Sequence, residues 1–233
     1  MFSRTAHLYD AIYSFKDYAA EAALVRELVE ARAPGARTLL DVACGTGKHL
    51  AELRAWYDVE GVDVDPALLA IARERLPGVP LHEGDLVSFD LGREFDVVTC
   101  LFSSVAYVVT RERLSAACGA LARHVAPGGL LVVEPWVLPD EWEPDHVHAV
   151  FVDKPELKVA RINAGGPLTD PLLMELEYLV GTPAGVEHVV ERHELGMFTR
   201  EEYLGAVAAA GLAAEWADGG LMGRGLVLGR RGA

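Results

Sequence analysis

The segment from Leu39 to Leu50 constrains the fold of this chain more than any other, because an apolar run leads directly into a glycine-rich turn. It reads Leu-Leu-Asp-Val-Ala-Cys-Gly-Thr-Gly-Lys-His-Leu, which predicts a strand, a turn and the start of a helix. Gly45 and Gly47 permit positive φ and a close approach to a ligand, and the helix start offers unpaired N–H groups. The pattern is typical of a turn that binds a nucleotide-like ligand.

The spacing of the glycines narrows the choice of ligand. A dinucleotide-binding turn has a third glycine, which would fall at position 50, and Leu50 occupies that position. This argues against a dehydrogenase. The remaining pattern, Asp-x-Ala-x-Gly-x-Gly over 41–47, resembles motif I of class I S-adenosylmethionine (SAM) methyltransferases. The resemblance implies SAM as the cofactor, S-adenosylhomocysteine as the product, and contacts at Ala43, Cys44, Gly45 and Gly47.

Predicted strands and helices alternate through the first 136 residues. A helix over 18–33 has Asp17 as its cap, and another begins at Pro66 with Asp65 as its cap. Thr110 begins a further helix. The predicted strands lie at 38–42, 59–64, 80–82, 95–101 and 130–134, with a turn at 127–129 before the last of them. Such alternation predicts a parallel sheet with helices on both faces.

The pattern changes near residue 137. Four β-like runs follow one another from 137 to 197 without a helix, which predicts an antiparallel β insertion that covers the substrate or contacts a partner subunit. Thr199 and Glu202 then form a capping box, and strands at 212–217 and 225–229 close the sheet as a hairpin. We therefore predict an α/β, Rossmann-like class I methyltransferase fold with a seven-stranded, mostly parallel sheet, its core formed by residues 1–136 and 198–233.

Ligands of parallel α/β sheets bind at the carboxyl ends of the strands. The residues at or just beyond these predicted ends are Asp41, Asp63, Asp85, Leu101 and Glu134. Asp63 stands where a carboxylate meets a ribose diol, since Asp65 already serves as the helix cap. Asp85 is placed either to accept a hydrogen bond from an adenine amino group or to form an Asx turn. Val64 and Leu86 would flank the adenine.

Two tyrosines and one further aspartate are candidates for roles near the ligand. Tyr107 follows the fourth strand, where the reactive end of a cofactor would point, and is a candidate for orienting the acceptor or for simple core packing. Tyr9, near the amino terminus, is a candidate for a lid over the site or for simple helix packing. Asp41 is expected to orient the backbone amides of the glycine turn.

Composition excludes several classes of function. A net charge of −14 argues against nucleic acid as a partner, whereas a small anionic substrate would need isolated arginines to meet it. Neither a signal peptide nor a membrane span is expected, and three cysteines indicate reduced thiols in the cytoplasm. The histidines, including His188 and His193, have no metal-ligand spacing and are expected to be surface or strand residues, so no metal is predicted.

A narrower resemblance covers nearly the whole chain. The chain resembles the N,N-dimethyltransferases of dTDP-amino-sugar biosynthesis, such as those for desosamine and mycaminose in macrolide antibiotics. The segments that carry the resemblance are Leu8-Tyr9-Asp10, Lys16-Asp17-Tyr18, the glycine turn, Phe102-Ser103-Ser104-Val105 with Tyr107, Glu134-Pro135-Trp136, Phe198 and Gly223-Arg224-Gly225-Leu226.

This resemblance implies roles for the matching residues. Cofactor contacts are implied for Tyr9, Tyr18, Ala43, Gly45, Asp63 and Asp85. Substrate contacts are implied for Ser103, Ser104, Tyr107 and Trp136. Arg224 is the implied ligand of the sugar nucleotide's diphosphate, because a planar guanidinium can bind two phosphate oxygens, and Arg161 is a second candidate. A homodimer is implied as well.

The chain departs from the family pattern on the substrate side. The departures are Asn163-Ala164 for Ser-His, Val137 for an aromatic residue after Trp136, and Leu221-Met222 for Pro-Ser. They leave open which amino sugar is used, whether its amine is at C-3 or C-4, and how many methyl groups are added. Two alternatives remain: a SAM-dependent O- or N-methyltransferase for another small molecule, and a SAM-binding protein without catalysis.

Overall fold

A computed structural model describes residues 5–233 of the chain. The strands within this range are β1 (Thr38–Val42), β2 (Asp58–Asp63), β3 (Leu81–Glu83), β4 (Phe95–Cys100), β5 (Val125–Val133), β6 (Val147–Lys154), β7 (Leu157–Ala164), β8 (Leu172–Thr182), β9 (Gly185–Leu195), β10 (Ala213–Ala217) and β11 (Leu226–Arg230). The α-helices are α1 (Tyr9–Ile12), α2 (Tyr18–Arg32), α3 (Lys48–Leu53), α4 (Pro66–Arg75), α5 (Arg111–Arg123) and α6 (Arg200–Ala209).

Seven of these strands form a central sheet in the order β10-β11-β5-β4-β1-β2-β3. β11 runs against the other six, which are parallel to one another. Successive residues of β1 point to opposite apolar layers, with Leu40 and Val42 in one and Leu39 in the other. Both layers are covered by helices, as apolar residues on both faces of a strand require. The predicted α/β class I methyltransferase fold is confirmed.

The predicted helix starts are confirmed by side-chain caps. Asp17 accepts a hydrogen bond from the Ala20 amide at 3.0 Å, and Asp65 accepts one from the Ala67 amide at 2.9 Å. Thr199 and Glu202 form both hydrogen bonds of a capping box. Each cap satisfies backbone N–H groups that have no partner inside the helix.

The turn predicted at 127–129 is wrong, because these residues lie within β5. Pairing with β4 begins at Phe95 and Val125 and then shifts to Val97 and Leu130, so β5 accommodates its extra residues as an irregularity. A Cβ on Gly129 would lie 2.8 Å from the Ala126 and Asp96 carbonyl oxygens. Glycine is therefore needed for this close backbone approach, not for a reversal of the chain.

The remaining four strands form a separate antiparallel sheet in the order β6-β7-β8-β9, which we call the small sheet. Helix α1 and the turn before it pack on its inner face, where Leu8 and Ile12 join Val159, Tyr178 and Val189 in one apolar cluster. The cavity described below lies between this sheet and the loops of the central sheet. Within residues 5–233, no helix has both the length and the apolar character needed to cross a bilayer.

Asp41 lies beneath the glycine turn but does not orient its amides, so that prediction is wrong. Its carboxylate is buried and accepts a hydrogen bond from Thr99 Oγ1 at 2.7 Å, while the Gly45 amide is held by Asp63. Burial raises the pKa of Asp41 to about 6. Above this pH the folded protein therefore contains a buried ionised carboxylate.

We expect Asp41→Asn to stabilise the protein at pH 8 by about 2–3 kcal/mol, since each pKa unit corresponds to about 1.4 kcal/mol. The advantage is expected to shrink as the pH falls through 6, where the folded parent protonates before the unfolded chain. Urea unfolding of both proteins at pH 8 and pH 5 measures this difference.

Asp96→Asn is the control, for which the opposite change in the free energy of unfolding is expected. Despite partial desolvation, hydrogen bonds from the Arg37 and Thr38 amides lower the pKa of Asp96, so its ionised form stabilises the fold. Asp96→Asn is therefore expected to destabilise the protein at pH 8. An Asp41→Asn variant less stable than the parent at pH 8 would contradict the account of Asp41.

Candidate active site

The glycine turn between β1 and α3 has an unusual backbone. Ala43, Gly45 and Gly47 have φ values of 60°, 56° and 73°. A Cβ on Gly45 would meet no atom within 4 Å, whereas a Cβ on Gly47 would lie 2.7 Å from the Leu76 side chain. The turn therefore packs against the end of α4 on one side and borders open space on the other, where a ligand can approach its amides.

Asp63 holds this turn from the carboxyl end of β2. The Gly45 amide donates to its Oδ2 at 2.7 Å, and the Asp65 amide donates to its Oδ1 at 2.8 Å. Burial raises the pKa of Asp63, although these backbone hydrogen bonds act in the other direction. Each oxygen keeps a further lone pair, so the carboxylate can hold the turn and still accept hydrogen bonds from a diol.

The other predicted cofactor residues lie in the turn or at neighbouring strand ends. Cys44 and Leu101 are buried, Leu86 is half-buried, and Val64 is exposed. Asp85 is exposed and forms the alternative Asx turn, because its Oδ1 accepts a hydrogen bond from the Val87 amide at 3.0 Å. A contact of Asp85 with adenine therefore stays a prediction.

The amino-terminal segment connects the turn to the cavity. Thr46 Oγ1 donates to Asp10 at 2.7 Å, and Arg75 pairs with Asp10 as well. Tyr9, next to Asp10, lines the cavity. Desolvation raises the pKa of Tyr9, and the nearby Tyr13 and Asp63 add to the effect. Tyr9 therefore lines the cavity beside a residue that contacts the turn, and its role as a lid stays a prediction.

A buried ionic cluster beside Tyr18 was not predicted. Lys16 Nζ lies 2.7 Å from Glu21 Oε1, and His49 Nε2 lies 2.7 Å from Glu21 Oε2. The rings of Tyr18 and His49 are 4.9 Å apart. Lys16 and Tyr18 belong to a segment that carries the family resemblance, whereas His49, which contacts Glu21 and Tyr18, comes from the start of α3. The cluster therefore fixes α2 against the glycine turn.

The loop after β4 is strained. Phe102 and Ser103 have φ values of 54° and 60°, which cost non-glycine residues about 1–3 kcal/mol each. The Phe102 amide donates to Glu134 Oε2 at 2.6 Å, and Ser103 Oγ donates to the Pro135 carbonyl at 2.7 Å. Burial raises the pKa of Glu134. The strain is held by residues of the Glu-Pro-Trp segment, as is common at functional sites.

A cavity of about 350 Å³ lies between this loop and the small sheet. Its lining is mostly aromatic or apolar, with polar and charged side chains that include the carboxylates of Glu141 and Glu143, as in many small-molecule sites. Its lining includes the predicted residues Tyr9, Ser103, Ser104, Tyr107, Trp136, Arg161 and Arg224. The structure thus brings all six predicted substrate residues together, although they come from four distant segments.

Arg224 is anchored in this cavity by two residues. Its Nη1 donates to Ser103 Oγ at 3.2 Å, and its guanidinium lies 4.8 Å from the centre of the Trp136 ring. Desolvation lowers the pKa of Arg224, while Glu134 and Glu141 act in the other direction. Most of the N–H donors of Arg224 remain available to a ligand, so the site is suited to an anion.

A second guanidinium lies on the small-sheet side. Arg161 is 5% exposed, and its Nη1 donates to the Tyr13 hydroxyl at 3.1 Å. Its Nη2 lies 3.3 Å from His148 Nδ1. Desolvation lowers the pKa of His148, and Arg161 adds to this effect. The buried Arg161 and the half-buried Arg224 thus place two cations at one cavity of a chain whose net charge is −14.

Tyr107 has a partner that sequence reasoning missed. His193, expected to be an ordinary strand residue, lies on β9 but is buried, and its Nδ1 is 2.8 Å from the Tyr107 hydroxyl oxygen. Burial raises the pKa of Tyr107 well above its usual range. The alternation of buried residues along β9 was the signal that could have indicated an inward histidine.

Comparison with known proteins agrees with this geometry. A family model described as a methyltransferase domain matches residues 39–129. The dTDP-3-amino-3,6-dideoxy-alpha-D-glucopyranose N,N-dimethyltransferase of Streptomyces fradiae is 43% identical over 98% of this chain and 91% of its own length. The chain belongs to the family of dTDP-amino-sugar N,N-dimethyltransferases.

Two further relatives of this methyltransferase differ in their acceptors. The dTDP-4-amino-2,3,4,6-tetradeoxy-D-glucose N,N-dimethyltransferase of Saccharopolyspora spinosa is 42% identical over 97% of this chain and 92% of its own length. The SAM-bound structure of CalS10, an amino pentose methyltransferase of Micromonospora echinaspora involved in calicheamicin biosynthesis, has a TM-score of 0.88 and 43% identity, covering 96% of each chain. The level of sequence identity therefore does not show whether the acceptor of this chain carries its amine at C-3 or at C-4.

This methyltransferase uses SAM as its cofactor. The open side of the turn at Gly45 and the lone pairs left on Asp63 fit the cofactor. SAM supplies a methyl group bound to a positively charged sulfur. Among residues 5–233, no three His, Cys, Asp or Glu side chains are grouped so that they could hold a metal ion.

Proposed function

We propose that this enzyme methylates the amino group of a dTDP-linked amino-deoxy sugar, twice in succession, in the biosynthesis of a natural product. The observation that carries the proposal is the anchored Arg224 in the same cavity as Tyr107. Arg224 offers a half-buried cation for a diphosphate, and Tyr107 offers a hydroxyl for an amine. The names of the relatives support the same acceptor class.

Arg224 would bind the diphosphate of the sugar nucleotide. Its planar donors can reach two phosphate oxygens, and Trp136 and Ser103 hold the guanidinium before the ligand arrives. Arg161, on the other wall, is a second candidate for the same charge. Both side chains are largely desolvated, so their interaction with an anion is weakly screened.

The apolar walls would favour the reactive form of the amine. Only a neutral amine has the lone pair that attacks a methyl group, and desolvation lowers the pKa of an ammonium. Tyr107, fixed by His193, would orient this amine, while Tyr9 and the small sheet exclude water. Holding the reacting groups in position supplies a large part of the rate enhancement of such a transfer.

Thermal unfolding with dTDP tests the acceptor class. With S-adenosylhomocysteine present, dTDP is expected to raise the unfolding temperature in a concentration-dependent way, whereas thymidine at the same concentrations is expected to have a much smaller effect. If dTDP gives no protection, the alternative of a methyltransferase for another small molecule is favoured. SAM binding without turnover on any amino sugar would favour a non-catalytic protein.

We also propose that residues 137–197 act as an insertion that covers the substrate and joins two copies of the chain. The outer face of the small sheet exposes Phe151 by 71%, Leu179 by 53% and Ile162 by 41%. Cross-strand pairs of both signs, such as Glu177 with His188 and Glu175 with Arg192, lie on the same face. Such a face can pair with itself about a twofold axis.

Phe151→Asp is expected to convert the dimer into a monomer, because it would bury two unpaired carboxylates in the interface. Size-exclusion chromatography with light scattering measures the mass. Leu24→Asp is the matched control, since Leu24 is exposed by 42% on α2, away from the small sheet. If the parent elutes as a monomer, or Phe151→Asp stays dimeric, the proposed interface is wrong.

All three cysteines are unpaired, which supports a location in the cytoplasm.

A further inference from the structure

Two ionisable residues occupy inward positions of β9. Burial alternates along this strand, and the inward residues Val189, Glu191, His193 and Leu195 are 6%, 6%, 1% and 3% exposed. Apolar side chains usually fill such positions, because burial of a charge costs free energy unless it is paired. Glu191 and His193 are therefore unusual residues at these inward positions.

These two residues continue a line of contacts that begins at the cavity. The Tyr107 hydroxyl oxygen is 2.8 Å from His193 Nδ1, and His193 Nε2 is 3.7 Å from Glu191 Oε2. Thr5 Oγ1 donates to the same Glu191 oxygen at 2.7 Å. Tyr107 itself lines the cavity. The line thus leads from the acceptor site into the interior of the small sheet.

The surroundings define which group donates in the hydrogen bond between Tyr107 and His193. Burial raises the pKa of Tyr107, and the neighbouring Tyr13, Tyr178 and Glu191 raise it further, so Tyr107 is a neutral phenol. The Glu191 carboxylate beside Nε2 favours the tautomer with the proton on Nε2. Nδ1 then accepts the phenolic proton, and the lone pairs of the Tyr107 oxygen remain available to an acceptor amine.

We infer that Tyr107, His193 and Glu191 form a proton relay that converts a bound ammonium group into the neutral amine before each methyl transfer. The inference rests on the proposed function. It assigns a chemical task to Glu191 and His193, which lie outside the cavity and act on the substrate through Tyr107.

Two coupled proton shifts precede each methyl transfer. One N–H proton of the ammonium moves to the Tyr107 oxygen as the phenolic proton moves to His193 Nδ1, which leaves a neutral amine and an imidazolium. The Glu191 carboxylate offsets the imidazolium charge. The amine lone pair then forms the N–C bond as the C–S bond breaks, and the methylated product leaves as a cation. His193 returns its proton to water through Tyr107 when the cavity opens.

His193→Asn tests the relay directly. The Asn Oδ1 atom can replace Nδ1 as the acceptor for Tyr107, but it cannot take up the proton. We expect kcat to fall about 100-fold, at the low end of what proton-transfer groups contribute, with the KM for the amino sugar changed less than about threefold. Glu191→Gln is expected to lower kcat as well, since it leaves the imidazolium without its counter-charge.

His82→Asn is the matched control, because His82 also lies on a strand beside a glutamate, with its Nε2 3.0 Å from Glu60 Oε2, but is outside both the cavity and the small sheet. Its kinetics are expected to equal those of the parent. A merely structural role for His193 would raise KM or lower the unfolding temperature while leaving kcat intact. Either result, or a His193→Asn variant with the parental kcat, would overturn the relay.

The tautomer of His193 can be measured without turnover and without a variant. In the ligand-free parent, imidazole ¹⁵N shifts are expected to show a protonated Nε2 and an accepting Nδ1 for His193. A proton on Nδ1 would overturn the relay even if His193→Asn failed to fold. If the parent methylates no amino sugar, the proposed function fails, whereas an Nδ1 proton in an active parent contradicts the relay alone.

Discussion

Replacing Arg224 by alanine is expected to raise the KM for a dTDP-amino sugar about 100-fold, which corresponds to about 2.7 kcal/mol. The variant loses a half-buried guanidinium that Trp136 and Ser103 hold in place before the ligand binds. The diphosphate charge is then left in a poorly solvated cavity with Arg161 as its remaining nearby arginine. Initial rates at saturating SAM, measured over a range of acceptor concentrations, give this KM.

Two further variants make the Arg224 result specific. Arg224→Lys keeps the charge but loses the planar fork and the ring contact, so an intermediate KM is expected. Arg200→Ala is the matched control, because Arg200 also lies over a tryptophan ring, that of Trp216, but outside the cavity. The Kd for SAM is expected to stay unchanged in Arg224→Ala, Arg224→Lys and Arg200→Ala. An Arg224→Ala KM within threefold of the parent would show that another group binds the acceptor.

The second large effect is expected at Asp63, where alanine should weaken SAM binding at least about 100-fold. Hydrogen bonds to a charged group contribute about 1.5–3 kcal/mol each, and this variant loses those to the ligand. It also releases the Gly45 amide, so the turn loses its anchor. Isothermal titration of the protein with SAM, without acceptor, measures the Kd.

Asparagine at position 63 is expected to be nearly as harmful as alanine. The two carboxylate oxygens accept hydrogen bonds from the Gly45 and Asp65 backbone amides. In asparagine one of these oxygens is replaced by an NH2 group, which would face a backbone N–H and could not accept its hydrogen bond. Asp65→Asn is the control, because asparagine is an equally good helix cap. SAM affinity that survives Asp63→Asn would mean that the carboxylate neither holds the turn nor meets the ligand.

Much of the fold could be predicted because its signals are local. The glycines at 45 and 47, the caps Asp17 and Asp65, and the change from helix-and-strand alternation to consecutive strands near 137 are all visible in short windows of sequence. The irregularity in β5 is different. Pro-Gly-Gly is typical of a turn, and only the pairing of Val125 with Phe95 shows that the strand continues through it.

The site could be predicted where a residue lies next to a recognisable motif. Tyr107, Trp136 and Arg224 are of this kind, and the structure places all three around one cavity. His193 and Glu191 are not, because their importance comes from an inward orientation that the register of β9 determines. The strained φ of Ser103 likewise depends on Pro135, more than thirty residues away in the chain.

The most direct test of the proposed function is the mass of the product. The purified enzyme is incubated with SAM and a panel of dTDP-amino sugars that includes C-3 and C-4 amines, and the sugar nucleotides are followed by mass spectrometry over time. We predict that at least one amino sugar gains the mass of two methylene units, by way of a singly methylated form, while its 4-hydroxy or 3-hydroxy counterpart is unchanged. No mass gain on any amino sugar, from an enzyme that binds SAM, would contradict the proposed function.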